Sequence, residues 1–198
     1  MTINKTYAIL NISNKERGHW YDKEKELKAV ENILTESKKK CRIAEFHEPF
    51  IDDGGFESIC DGYRIVRFYH NCLGVENIAV TKTKKFFEAF VDTDEEIIPI
   101  DLPTIEELRK EVRDNIGLAT TKKKLYYRLG NDTKNAIVNV RYLIDIMELL
   151  HTDKIYYAKK HRKNSSLLLK SEIGEAILLP IMSMSNNDER NGYWVYNC

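Results

Sequence analysis

The side chains best suited to chemistry in this chain do not assemble into a recognisable catalytic motif. Cys60, His70 and Cys72 supply one Cys/His pair spaced two residues apart, but a structural zinc site needs four tightly patterned ligands. Asp52 and Asp53 precede two glycines, where acidic residues are expected for turn formation alone. Glycine-rich phosphate loops, G-x-S-x-G and H-E-x-x-H are absent from the sequence. The sequence therefore predicts no enzyme activity, no metal and no cofactor. A small nucleic-acid-processing enzyme stays open only if unrecognised carboxylates cluster in the fold.

Composition narrows the class of partner and the compartment. The chain has 31 basic and 31 acidic residues among 198, and hence no net charge. Non-specific affinity for DNA comes from neutralising phosphates, so a balanced total disfavours it, although it can contain a one-sided basic face. The four cysteines lack disulfide-framework spacing, which is typical of a reducing compartment. Because there is no apolar run of about 18 residues and no secretory signal, we expect a cytoplasmic protein without a membrane span.

Hydrophobic periodicity predicts mixed helices and strands in the first half of the chain. Leu27, Val30, Ile33 and Leu34 recur at helical spacing, with Asp22 as a plausible N-cap. The elements predicted here are a strand at 6–12, a helix at 22–40, a hairpin of 42–46 with 56–60, strands at 63–69 and 77–80, and a helix at 82–91.

The second half repeats this mixture after a proline-containing junction. Pro99 and Pro103 cannot donate to a strand ladder and stiffen a connection, which indicates a domain boundary. An aromatic tail around Trp194 is expected to pack on its own sheet. The predicted elements are a helix from 103 to 117, strands at 124–129 and 136–140, a helix at 141–150, and strands at 154–158, 166–170 and 175–180. Such a pattern is typical of an α+β fold with antiparallel sheet, divided into domains at 1–98 and 99–184 with a tail at 185–198.

Several of these stretches resemble the bacterial DNA polymerase sliding clamp (beta subunit) family. Residues 60–65, Cys-Asp-Gly-Tyr-Arg-Ile, resemble the strand-turn motif of the clamp's middle domain. Residues 138–145, 165–171 and 178–182 resemble its C-terminal domain. The resemblance implies two clamp-like domains, each with amphipathic helices packed on antiparallel sheet, in a noncatalytic replication accessory protein. The clamp's first domain has no counterpart, so a divergent two-domain form is expected, such as a phage or mobile element encodes.

The resemblance also implies a peptide-binding pocket. Clamps receive short linear peptides of polymerases and other replication proteins in a hydrophobic pocket between their middle and last domains. An extended peptide needs apolar holes for its anchors, and a few anchors can dominate binding. The alternative is that these are ordinary turn and edge-strand residues. The matching positions in this chain are Gly62, Tyr63, Arg64, Ile65, Leu179, Pro180, Ile181 and Met182.

Basic residues on the predicted helices are candidates for contact with double-stranded DNA. Sequence-neutral tracking requires phosphate contacts without base readout. Since the same helices also carry many acidic residues, a mixed solvated surface is the alternative. Six domains close known clamp rings, so a ring of this chain would be a homo-oligomer of three; a clamp-derived interaction or inhibitor module that does not encircle DNA is the competing hypothesis. The candidate contacts are Lys25, Lys28, Lys82, Lys84, Lys85, Arg109, Arg113 and Arg141.

Overall fold

The computed structural model describes residues 23–91, 97–100, 102–115, 123–130, 135–152, 154–158, 166–180, 188–190 and 193–197. The helices are α1 (Lys23–Lys40), α2 (Lys84–Val91), α3 (Ile105–Asn115) and α4 (Val140–Leu150), with a short 3-10 helix at Ala44–His47. The strands are β1 (Phe50–Ile51), β2 (Glu57–Cys60), β3 (Arg64–Phe68), β4 (Ile97–Ile100), β5 (Lys123–Gly130), β6 (Asn135–Asn139), β7 (Ile155–Ala158), β8 (Leu167–Lys170), β9 (Gly174–Leu178), β10 (Asp188–Arg190) and β11 (Tyr193–Asn197).

These strands form two sheets. The larger has seven strands in the order β1-β2-β3-β9-β8-β7-β4, and the smaller has four in the order β10-β11-β5-β6. Every pairing between named strands is antiparallel. The predicted α+β class, with helices packed on antiparallel sheet, is confirmed.

Helices α1 and α4 pack on each other and on one face of the large sheet. Val30 and Ile33 are buried in α1, whereas Leu27, predicted to share their stripe, is 39% exposed. Asn139 caps α4 by accepting the N–H of Arg141, and the helix ends where His151 takes a left-handed conformation (φ 50°). The apolar face of α4 is fully buried, and each such Leu or Ile contributes about 1.5–3 kcal/mol. Burial of these two stripes therefore holds the helices to the sheet.

Alternation along β3 gives the large sheet two different faces. Val66 and Phe68 join the core under α1 and α4, whereas Ile65 joins a second apolar cluster with Phe87 of α2 and Ile177. Because neighbouring residues of a strand point to opposite faces, α2 lies on the side of the sheet away from α1 and α4.

Two local predictions, the strands at 42–46 and 77–80, are wrong. Residues 42–46 are not a strand: Ser37 Oγ donates to the carbonyl of Phe46 at 2.7 Å, which holds the chain in the 3-10 helix. Residues 77–80 make only one isolated bridge to β1, since the N–H of Val80 donates to the carboxylate of Glu45 instead. Pro99 lies within β4, which is tolerated because β4 is the last strand of the sheet.

The two halves of the chain share structure across the expected boundary at 98/99. Strand β3 of the first half pairs with β9 of the second, and one core cluster takes residues from both. The division into domains 1–98 and 99–184 stays a prediction. Strand β11, in the aromatic tail, pairs with β5 and so lies on the small sheet, as expected. The strand at 6–12 lies outside the described residues.

Candidate peptide-binding site and basic surfaces

The turn at residues 61–64, here called the Tyr63 turn, presents an aromatic side chain to solvent. Asp61 Oδ1 accepts the backbone N–H groups of Tyr63 and Arg64, each at 2.9 Å. Gly62 takes φ +86°, a left-handed conformation that glycine adopts without steric cost. Asp and Gly therefore fix the turn by local chemistry, and Tyr63 is left 48% exposed.

The second segment of the candidate site meets this turn through sheet pairing. Leu178, the last residue of β9, lies opposite Arg64, and the N–H of Leu179 donates to the carbonyl of Tyr63 at 2.9 Å. Leu179 is 42% exposed and Pro180 is half-buried. The structure thus brings Gly62–Ile65 and Leu179–Pro180 side by side. The other two candidate residues, Ile181 and Met182, lie outside the described residues.

Arg64 lies beneath the site and not on its surface. Its side chain is 2% exposed, with Nε donating to Asp61 at 2.9 Å and Nη1 to Asp145 of α4 at 2.6 Å. Its guanidinium also lies 4.2 Å from the ring centroid of Tyr142. Arg64 therefore ties the Tyr63 turn to α4, so it can act on a peptide only through its neighbours. Ile65 is buried in the opposite apolar cluster.

Tyr142, which sequence reasoning missed, forms a wall beside Tyr63. The two ring centroids are 6.2 Å apart. The Tyr142 hydroxyl donates to Glu36 at 3.1 Å and accepts from Lys40 Nζ at 3.0 Å, and Lys40 also pairs with Glu36. Lys40 Nζ lies 5.7 Å from both ring centroids, within cation–π range. The i, i+4 spacing of Glu36 and Lys40 was the only sequence signal for this cluster.

The protonation states around the Tyr63 turn follow from burial and from these contacts. Burial alone would lower the pKa of Lys40, but hydrogen bonds to Glu36 and Tyr142 outweigh it and raise that pKa above its usual value. Burial tends to raise the pKa of Glu36, but the hydrogen bond and the charge of Lys40 outweigh it and lower that pKa below its usual value. Burial raises the pKa of Cys60, next to the turn, to about 12. The cluster is therefore a charged pair around a neutral phenol, beside a thiol that stays protonated.

The eight candidate DNA contacts do not form one surface. Five lie on the helices that cover one face of the large sheet, because α3 packs on α4 through the buried Leu108. The other three lie at α2, on the opposite side of the sheet. The first group is Lys25, Lys28, Arg109, Arg113 and Arg141, and the second is Lys82, Lys84 and Lys85.

Several of these cations pair with acids of the same or a neighbouring helix. Arg109 contacts Glu148 of α4 at 2.7 Å. Lys28 pairs with Glu31 at 3.5 Å, and Lys84 with Glu88 at 3.4 Å. The two lysine pairs are exposed and contribute little to stability, but all three pairs reduce the positive field that a phosphate would meet.

The structure does not support a metal site at Cys60, His70 and Cys72. Cys60 is buried and His70 is exposed. Within the described ranges, no group of three or more His, Cys, Asp or Glu side chains is placed to hold a metal ion. No helix in the described part of the chain has both the length and the apolar character needed to span a membrane.

The described fold defines an α+β protein with two antiparallel sheets, helices on both faces of the larger one, and a small exposed aromatic and apolar site. No protein-family model and no curated protein matches the chain. The DNA polymerase III subunit beta of Pseudomonas aeruginosa is similar to 79% of the chain, at 10% identity and a TM-score of 0.43. A DNA polymerase sliding clamp of the same organism is similar to 66% of it, at 12% identity and a TM-score of 0.36. The chain spans 65% and 44%, respectively, of those two proteins.

Proposed function

We propose that this chain is a noncatalytic, sliding-clamp-like scaffold of DNA replication that binds short linear peptides of a DNA polymerase or other replication proteins. One observation carries the proposal: Tyr63 and Leu179 are remote in sequence, yet a backbone hydrogen bond joins them and both side chains are exposed. The residues around both positions also resemble the clamp family's peptide-binding segments.

The physical character of this site suits an extended peptide. Tyr63 and Leu179 offer exposed apolar surface, and aromatic residues of this kind tend to dominate binding. The Tyr63 turn is already fixed by Asp61 and, through Arg64, by α4. A preformed site loses little conformational entropy on binding, so a small contact area can still give useful affinity.

A peptide titration tests the proposal. Leu179→Asp places a charge on the apolar surface and should weaken a fluorescent clamp-binding peptide by about 1–3 kcal/mol, or roughly ten- to a hundredfold. Val80→Asp is the matched control, because Val80 is 84% exposed and belongs to the segment beside β1. The proposal fails if the wild type binds no peptide, or if Val80→Asp weakens binding as much as Leu179→Asp does.

The second candidate is an interaction or inhibitor module that does not encircle DNA. It is favoured by the division of the basic residues between two sides of the sheet, and by the ion pairs of Arg109, Lys28 and Lys84. Ring closure, a homo-oligomer of three, DNA binding, a phage origin and a cytoplasmic location are all predictions of the first hypothesis. Retention on circular but not linear DNA distinguishes the ring from the module.

A further inference from the structure

Four exposed cations lie at the ends of α1 and α4 that meet at the Tyr63 turn. Helices α1 and α4 are antiparallel: His151, after α4, contacts Glu26 near the start of α1, and Tyr142 near the start of α4 contacts Lys40 at the end of α1. The last turn of α1 and the first turn of α4 therefore meet at Tyr63. The exposed cations at this meeting point, here called the basic rim, are Lys38, Lys39, Arg42 and Arg141.

Each member of the basic rim is within two residues of a side chain at the turn. Lys38 and Lys39 precede Lys40, and Arg141 precedes Tyr142. Arg42 follows Cys41, whose Sγ lies 3.8 Å from the position that a Cβ on Gly62 would occupy. The four cations thus lie on the segments that meet at Tyr63.

No ion pair holds the basic rim in the part of the chain that the structure describes, although the charge of Lys39 acts on nearby Glu36. No carboxylate there lies within ion-pair distance of any of its four members, in contrast to Lys28, Lys84 and Arg109. Lys40 is not counted in the rim, because Glu36 already neutralises it. The rim therefore presents positive charge, offset only in part by Glu36, beside an apolar surface.

Folding explains only part of this charge. Lys38 and Lys39 lie in the last turn of α1, where cations favour the helix dipole. Arg141 lies in the first turn of α4, where a cation opposes the dipole, and Arg42 lies beyond α1 altogether. Two of the four positive charges thus have no role in stabilising a helix.

We propose that the basic rim selects peptides that carry acidic residues next to their apolar anchor, which specifies the partner class of the proposed function and rests on it. A carboxylate beside the anchor would lie over the rim while the anchor covers Tyr63 and Leu179. Nucleic acid fits less well, because its phosphates gain nothing from the exposed Leu179. Rim charges of this type raise the association rate and make affinity depend on salt.

Two peptides with identical apolar anchors test this inference, one with acidic flanks and one with the same flanks as amides. Wild-type protein should bind the acidic peptide about threefold to tenfold more tightly at low salt, and the difference should shrink as salt is raised. The rim variant Lys39→Ala/Arg42→Ala/Arg141→Ala should lose the difference while its affinity for the amide peptide stays unchanged. That unchanged affinity also shows that the variant is folded.

The matched control removes three exposed cations elsewhere, Lys23→Ala/Lys110→Ala/Lys154→Ala, and should keep the difference. Equal binding of both peptides by the wild type overturns the inference but leaves the proposed function intact. Failure of both peptides to bind overturns the proposed function and the inference with it. If a double-stranded oligonucleotide binds through the rim and the acidic peptide gains no affinity, nucleic acid is the partner and the inference is wrong.

Discussion

Strand β3 carries two arginines, Arg64 and Arg67, which lie on opposite faces of the seven-stranded sheet. Both are almost fully buried, and each is held by two carboxylates. Burying a guanidinium with two carboxylates costs desolvation free energy. Replacing the whole cluster with apolar residues is therefore often neutral or stabilising. The two clusters therefore share their chemistry, and they differ in the parts of the molecule that they connect.

The Arg67 cluster is closed to solvent. Arg67 Nε contacts Asp52 at 2.7 Å and Nη1 contacts Glu175 at 3.3 Å. The ring centroids of Phe87 and Phe56 lie 3.9 and 5.0 Å from the guanidinium carbon. These contacts connect β3 with β9, with the turn before β2 and with α2, so the cluster has the character of a purely structural clamp.

The Arg64 cluster uses the same chemistry but leads to the surface. Asp61, one of its carboxylates, also forms the Tyr63 turn, and the guanidinium lies against Tyr142. Burial raises the pKa of the other carboxylate, Asp145, against the opposing effect of Arg64. The Arg64 and Arg67 clusters thus have similar charges but different surroundings, because only the Arg64 cluster fixes the exposed Tyr63 turn.

Loss of either arginine should give the largest effect. Arg67→Met and Arg64→Met each leave buried carboxylates without their cation, and should lower the free energy of unfolding by about 3–5 kcal/mol, measured by urea denaturation. Peptide binding should be kept in Arg67→Met but weakened in Arg64→Met, because only Arg64 supports the Tyr63 turn and Tyr142.

Lysine at each position keeps the charge and supplies a milder variant if methionine prevents folding. An equal loss of peptide affinity in the Arg64 and Arg67 variants would contradict the distinction between the clusters. Full peptide affinity in a folded Arg64 variant would contradict it as well.

A matched pair of hydroxyl deletions compares the Arg64 and Arg67 faces with a smaller loss of stability. Tyr142→Phe removes the hydrogen bonds to Glu36 and Lys40, and Tyr69→Phe removes one to Glu175 on the Arg67 face. Each should lower the free energy of unfolding by about 0.5–1.5 kcal/mol, measured by urea denaturation. Only Tyr142→Phe should also weaken peptide binding, by a few fold, in a titration. A similar loss in Tyr69→Phe would mean that general loosening, and not the wall beside Tyr63, is responsible.

Much of this architecture follows from local sequence patterns. Helical periodicity gave α1 at 22–40 and α4 at 141–150, close to Lys23–Lys40 and Val140–Leu150. The alternation of β3 also predicts that Arg64 is buried, since Arg64 shares its face of the strand with Val66 and Phe68. That inference was missed because its partner Asp145 is remote in sequence, and a lone arginine in a strand is usually exposed.

The distribution of the basic residues could not be obtained from the sequence. Periodicity identifies which side of a helix is polar, but not which face of a sheet the helix covers. The α2 lysines, Lys84 and Lys85, therefore could not be separated from Lys28 and Arg109 until the topology was known. The juxtaposition of Tyr63 with Leu179 was expected only through the family resemblance, because pairing between distant strands has no local signal.

Photo-crosslinking of a bound peptide tests directly whether Tyr63 and Leu179 form the peptide-binding site. A clamp-binding peptide with a benzophenone at its apolar anchor is irradiated on the wild-type protein, and the attached residues are identified by mass spectrometry. Three further exposed apolar side chains, Ile78, Val80 and Phe86, lie around α2 and its preceding segment. Attachment at Tyr63 and Leu179 is the result that this account predicts. Attachment mainly at Ile78, Val80 or Phe86 would contradict it.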